Sequence, residues 1–92
     1  MKIPLKELWL YQPIKADEVG KQHTSEPIKV YFTDNKYIVG DGNHRVFEAG
    51  IRGDIEVEVR CYGRPGAEAL ILFNCKKFDQ WFKEQKETLR SN

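Results

Sequence analysis

A β-rich run, Lys36-Tyr37-Ile38-Val39, passes through the turn Gly40-Asp41-Gly42-Asn43-His44-Arg45 straight into Val46-Phe47-Glu48-Ala49-Gly50-Ile51, whose apolar spacing is that of a short helix. Strand side chains alternate with period two and helix side chains recur every 3.6 residues, so the chain must change both direction and periodicity within a few residues. Glycine supplies the backbone freedom that such a change requires. The spacing predicts a strand, a tight turn, and a helix that begins near Gly42 or Asn43 and is closed by Gly50 or Gly53.

The flanking segments supply the rest of a sheet. Ile28-Lys29-Val30-Tyr31-Phe32 reads as a strand, joined to Lys36–Val39 by Asp34-Asn35, a pair suited to the positive φ angles of a hairpin turn. Ile55-Glu56-Val57-Glu58-Val59-Arg60-Cys61 alternates strictly, which predicts a half-buried strand with Ile55, Val57, Val59 and Cys61 on its inner face. Ile3–Leu5 reads as a short strand and Lys6–Leu10 as a turn of helix that Gln12-Pro13 ends. Residues 14–27 read as a mobile loop in which Ala16–Val19 forms a helical turn ended by Gly20. After the break at Gly63-Arg64-Pro65-Gly66, with Pro65 suited to a first helical position, Ile71, Cys75, Phe78 and Phe82 recur at spacings that define a helix stripe. Asn74 divides that stripe into two helices, and residues 90–92 fray. The expected fold is α+β: a small mixed β-sheet carrying the strand–turn–helix, followed by a C-terminal helix or helices, in one domain over residues 1–92 with its core in 3–62 and a helical segment at 65–90.

A chain of 92 residues can bury one modest core. Its 15 Lys and Arg against 14 Asp and Glu argue against a broad electrostatic attraction to nucleic acid or membrane, so an anion site has to be local. Met1-Lys2-Ile3-Pro4-Leu5 opens no apolar run of the kind a signal peptide or membrane span needs, and a cytoplasmic location is expected. Cys61 and Cys75 lack the spacing of a zinc site or dithiol centre and are expected to be reduced and partly buried.

The chemistry of the turn follows from its place at a helix N-terminus. There the first backbone N–H groups have no intrahelical acceptor and the helix dipole favours negative charge, so a phosphate is well served. Gly40 and Gly42 let it approach the backbone, and His44 and Arg45 add side-chain donors. Asp41 either caps the helix or reaches a Mg²⁺ ion shared with the phosphates. Such turns also join strands to helices where nothing binds. On that structural reading Asp41 is only a cap, Arg45 pairs with Asp41 or Glu48, and His44 is a hydrogen-bonding residue rather than a base.

Ile28-x-Val30, Tyr37-Ile38-Val39, Gly40-Asp41-Gly42-Asn43-His44-Arg45-Val46, Ala49 and Ile55-x-Val57-x-Val59 together resemble the ParB/sulfiredoxin-like superfamily. Ile3-Pro4-Leu5-Lys6-Glu7-Leu8 with Gln12-Pro13 resembles its first box, so the likeness spans most of residues 3–62. The resemblance implies that the turn holds nucleotide phosphates (CTP in partition proteins, ATP in sulfiredoxins, ADP in free-serine kinases) through Gly42, Asn43, His44 and Arg45. The chain departs from each branch. Asn43 stands where sulfiredoxins carry their catalytic cysteine, and an amide cannot form the sulfur ester that their chemistry needs. Gln12 stands where the serine kinases carry a glutamate base, and partition proteins carry further DNA-binding and dimerisation domains.

The expectation is therefore a nucleotide-phosphate-binding domain. ATP, ADP or CTP is its ligand, with Mg²⁺ and with Asp41 as the candidate catalytic and metal-binding residue for hydrolysis or phosphotransfer. A second reading is a nucleic-acid-binding (DNA-binding) or nuclease-like protein in which the turn grips a backbone phosphate and Lys76, Lys77, Lys83 and Lys86 extend the contact. A third is a protein-interaction module using Trp9, Trp81 or Phe82.

Overall fold

The computed structural model describes residues 1–19, 26–63 and 74–90. Six strands form one mixed sheet: β1 (Lys2–Pro4), β2 (Leu8–Leu10), β3 (Ile28–Thr33), β4 (Lys36–Asp41), β5 (Glu56–Tyr62) and β6 (Lys76–Lys77). Their spatial order is β1-β5-β3-β4-β2-β6. Pairing is parallel for β3 with β5 and β2 with β4, and antiparallel elsewhere. Two helices, α1 (Asn43–Arg52) and α2 (Phe78–Arg90), complete the α+β fold among the described residues.

Local chemistry explains the central elements. Asp34 and Asn35 adopt φ of 54° and 58°, the paired left-handed conformation that closes a two-residue hairpin between β3 and β4. Helix α1 ends at Gly53 (φ 84°), whose N–H reaches the Gly50 carbonyl at 3.1 Å while Asp54 N–H reaches Ala49 at 2.9 Å, the paired bonds of a Schellman cap. Gly50 therefore does not close the helix. It lets the helices meet: a Cβ there would stand 2.7 Å from the Phe82 ring and 2.9 Å from Phe78.

Sheet residues Val30, Val39 and Val59, Leu8 and Leu10, helix residues Val46, Phe47 and Ala49, and Phe78 and Trp81 of α2 share one buried cluster. Phe47 meets Trp81 edge-on (centroids 6.2 Å apart) and Phe82 at 5.3 Å, so the aromatic contacts lock α2 against α1.

Three sequence expectations change. Residues Lys6–Leu10 do not form one helical turn: Leu5–Glu7 is a 3₁₀ turn, and Leu8–Leu10 is a strand because Leu8 and Trp9 find parallel partners in Tyr37 and Ile38. Strand β5 is less covered than its alternation suggests. Val59 is buried and Val57 half-buried, but Ile55 just ahead of the strand is 82% exposed and Cys61 is exposed, because alternation identifies a face but not how far the opposing layer reaches. Cys75 is half-buried, as expected, but leaves the helical path between Asn74 and β6, so α2 starts at Phe78. Pro65, Ile71, Gly20 and the last two residues, on which other expectations rested, lie outside the described residues. Among the described residues no helix is long and apolar enough to cross a membrane.

Candidate functional site

Strand β4 continues through Gly40 to Asp41, and the direction changes at Gly42, which sits at φ 111° and ψ 19° as the N-cap of α1. The first helical bond runs from Val46 N–H to the Gly42 carbonyl at 3.0 Å. The N–H groups of Asn43, His44 and Arg45 thus precede any possible intrahelical acceptor, and no side chain caps them. Asp41 is exposed and does not serve as the cap. A residue with a Cβ at position 42 would be strained by its φ and would also meet Arg45 Nη2 at 3.0 Å and the Ile28 side chain at 3.1 Å. Gly40 has a packing reason of its own: a Cβ there would lie 2.4 Å from the Tyr31 ring.

Opposite the turn lies the segment Gln12–Glu18, which is tied down rather than mobile over these residues. Asn43 Nδ2 donates to the carbonyls of Gln12 and Pro13 at 3.5 and 3.3 Å, and Trp81 Nε1 donates to the Gln12 carbonyl at 2.8 Å. Ile14 N–H donates to Gln85 Oε1 at 3.1 Å, and Lys15 N–H donates to His44 Nε2 at 2.9 Å. Ile14 itself is buried in the core. The reason is the complete pairing that buried backbone groups require: an irregular segment has no ladder, so side chains of both helices supply its partners. Asn43 and His44, both more than nine-tenths buried, thus have the structural work of holding this strap.

Between strap and turn is a cavity of about 270 Å³ lined by Gln12, Pro13, Lys15, Glu18, Asp41, Gly42, Asn43 and His44. Sites for drug-sized ligands occupy about 300–1,000 Å³, so this volume suits phosphate groups with a cation and leaves a nucleoside outside. Four of the sequence-identified residues, Asp41, Gly42, Asn43 and His44, meet here. Arg45 does not line it. Its Nη1 donates to the Glu26 carbonyl, rather than pairing with Asp41 or Glu48, and its side chain borders a second cavity of about 390 Å³ with Glu48, Arg52, Asp54, Glu56 and Glu58. The guanidinium nevertheless stays beside Gly42, a residue that lines the first cavity.

The first cavity has one Lys and two carboxylates on its walls, Lys15 against Glu18 and Asp41. Among the described residues no three His, Cys, Asp or Glu side chains group together as a metal cage. Mg²⁺ seldom needs one. It is commonly held by one or two carboxylates together with substrate phosphates and water, and the donor set of Asp41 and Glu18 fits that pattern.

Lys15 and Glu18 are the cavity residues that sequence reasoning missed, because nothing in an irregular, polar stretch marks which of its charges will face a turn nearly thirty residues later. The one signal was the helical turn predicted at Ala16–Val19, and the structure has a 3₁₀ turn at Ala16–Glu18. The lysines singled out for nucleic acid are engaged locally in part: Lys76 pairs with Glu84 at 2.8 Å, Lys86 Nζ lies 4.5 Å from the Phe82 ring centre, and Lys77 Nζ lies 5.9 Å from that of Trp9. Trp81, a candidate partner-binding aromatic, is core. No protein-family profile matches the chain, and no curated protein matches it closely enough to assign a family.

Proposed function

We propose that this chain is a nucleotide-phosphate-binding domain of the ParB/sulfiredoxin-like kind, holding the phosphates of a nucleoside di- or triphosphate with Mg²⁺ at the N-terminus of α1. The observation that carries the reading is the left-handed Gly42 N-cap, which leaves the first amides of a ten-residue helix without a side-chain cap beside a cavity of phosphate size. Asn43, His44 and Lys15 form its wall. Arg45 lies one short side-chain movement away, if its bond to the Glu26 carbonyl is exchanged for a phosphate oxygen. With more carboxylates than lysines on the cavity wall, a bare phosphate meets repulsion that the helix dipole only partly offsets, and a Mg²⁺ ion shared with Asp41 removes it. Asp41 is then the residue through which the metal would assist hydrolysis or transfer of the terminal phosphate.

Thermal denaturation with ATP, ADP, CTP and GTP, each with and without Mg²⁺, tests the proposal. One nucleotide should raise the Tm, and more so with Mg²⁺, because a ligand that binds only the folded chain stabilises it by mass action. No shift with any of them at about a hundred times the weakest useful Kd would reject it.

A further inference from the structure

Strand register gathers one row of side chains on a single face of the sheet. Lys77 stands opposite Trp9, Trp9 opposite Ile38, Ile38 opposite Tyr31, and Tyr31 opposite Tyr62. Residues in register share a face, so the row crosses β6, β2, β4, β3 and β5 and, at a strand spacing of ~4.8 Å, is about 19 Å long. Val30, Val39 and Val59 point the other way and join both helices in the core cluster. Among the described residues, the row therefore lies on the face that neither helix covers. Its aromatic members keep access to solvent: Tyr62 is 40% exposed, and Trp9 and Tyr31 are half-buried.

Cations gather on the same row. Lys29 and Arg60 pair in the next row on one side, and Lys36 stands opposite Thr33 in the next row on the other. Lys29 Nζ lies 4.5 Å from the Tyr62 ring centre and 5.9 Å from that of Tyr31, while Lys36 and Lys77 Nζ lie 4.9 and 5.9 Å from that of Trp9. The carboxylates are engaged or distant. Asp34 pairs with Lys36 at 3.0 Å, and Asp41, opposite Lys29 beyond a bulge, lines the phosphate cavity. Glu58 and Glu56 lie about 13 Å or more from Tyr62 along β5, facing the N-terminal amine at 2.7 Å and Lys2 at 3.9 Å. Trp9 also borders a cavity of about 440 Å³ walled by Lys6, Lys36 and Lys77 against Glu7 and Asp34, a volume in the range of small-molecule sites. The near-neutral charge of the whole chain hides this local excess.

We propose that this face is a stacking platform for single-stranded nucleic acid, with bases on Trp9, Tyr31 and Tyr62 and phosphates on Lys29, Lys36, Arg60 and Lys77. Unpaired bases offer their π faces to aromatic side chains, whereas in a duplex those faces are already stacked. The lysines now lie over the rings where bases would lie. A cation–π contact at an exposed ring is weaker than base stacking, and the displaced ammonium gains a phosphate oxygen, so the exchange favours the nucleic acid. The length of the row suits about two or three bases, as on other open sheets that bind single strands. Sequence preference should be slight, because every base has a π face. This platform uses neither the amides of α1 nor Arg45, and it stands or falls independently of the nucleotide reading. Of the lysines that the sequence singled out for nucleic acid, Lys77 belongs to it.

Fluorescence anisotropy of labelled oligo(dT) and oligo(rU), each about 12 nucleotides long, tests the platform at about 50 mM salt. Binding of either strand is expected, the tighter of the two identifying the sugar, and a duplex of the same length should bind about tenfold more weakly or worse. Tyr62→Ala, at an exposed position that leaves the core intact, should weaken single-strand binding about tenfold with an unchanged melting curve. Lys29→Ala and Lys77→Ala should each lower the slope of log Kd against log salt by about 0.7, the share of one phosphate contact on a single strand. Lys83→Ala, which removes the same charge from α2, should leave affinity and slope as they are. No binding of either single strand, or a duplex bound as tightly, overturns the proposal. So does affinity that Arg45→Ala abolishes and Tyr62→Ala leaves intact, which would assign the strand to the turn before α1. Self-association that Tyr62→Ala abolishes, in a protein that binds no oligonucleotide, would give the face to a second copy of the chain instead.

Discussion

Trp81 Nε1 donates to the carbonyl of Gln12 at 2.8 Å, joining the buried face of the C-terminal helix to the strap across 69 residues of sequence. Asn43 reaches the same carbonyl from the start of α1. The wall of the candidate site is therefore assembled by two helices that grip one backbone segment, and the site's shape depends on α2 although α2 supplies none of its lining.

This arrangement predicts a separable effect of the indole N–H. Trp81→Phe keeps an aromatic ring against Phe47 but removes the donor, leaving the Gln12 carbonyl with the long Asn43 contact. Stability should fall by about 1–3 kcal/mol, from one lost hydrogen bond and a smaller ring. Exchange of the strap amides should accelerate more than that of β3 and β4. Denaturant titration and amide exchange measure the two effects, and uniform acceleration throughout would refute a local tether.

Two left-handed glycines provide a paired comparison. Gly53 has open space where a Cβ would stand, so Gly53→Ala should cost only the conformational penalty of about 1–2 kcal/mol. Gly42→Ala incurs the same penalty and also meets Arg45 and Ile28, so its cost should be larger by about 1 kcal/mol. It should also weaken nucleotide binding, which Gly53→Ala should not. Melting curves and nucleotide titrations of both variants decide the matter, and equal costs would mean that the contacts at position 42 yield freely.

Arg45 distinguishes a phosphate ligand from a surface cation. If its guanidinium leaves the Glu26 carbonyl for a phosphate oxygen, Arg45→Ala should weaken nucleotide binding by about 2 kcal/mol, and Arg45→Lys should recover part of the loss because the planar fork is gone. Equal dissociation constants for the three proteins would confine Arg45 to the second cavity.

The thiols should differ in reactivity. Cys61 is exposed, whereas burial pushes the Cys75 thiol up from its ordinary range, with Lys36 opposing the shift only in part. Since the thiolate is the nucleophile, alkylation at neutral pH should modify Cys61 first, and Cys75 should catch up only in more alkaline solution. Mass spectrometry of a timed iodoacetamide reaction reads this directly. Cys61→Ser should be nearly silent in stability, within about 0.5 kcal/mol.

Much of the fold is legible along the chain because its signals are local. The Asp34-Asn35 hairpin, the alternation through Val57 and Val59, the glycine turn before α1 and the Gly53 terminus each depend on residues a few positions apart, whose dihedral preferences and periodicity act before any tertiary contact forms. Those signals determined that a strand, a turn and a helix would present Asp41, Gly42, Asn43 and His44 together. Tertiary structure alone decided what the side chains do there. Leu8–Leu10 became a strand because β4 offered a parallel edge, and Gly50 became a helix contact because Phe78 and Phe82 arrived from α2. Asn43 and His44 turned to the strap because its irregular backbone forms no strand ladder there, and the same contact brought Lys15 and Glu18 into the cavity. Unpaired backbone groups and surface charges carry no periodic mark, and their partners are chosen only when the packed elements bring them within hydrogen-bonding distance.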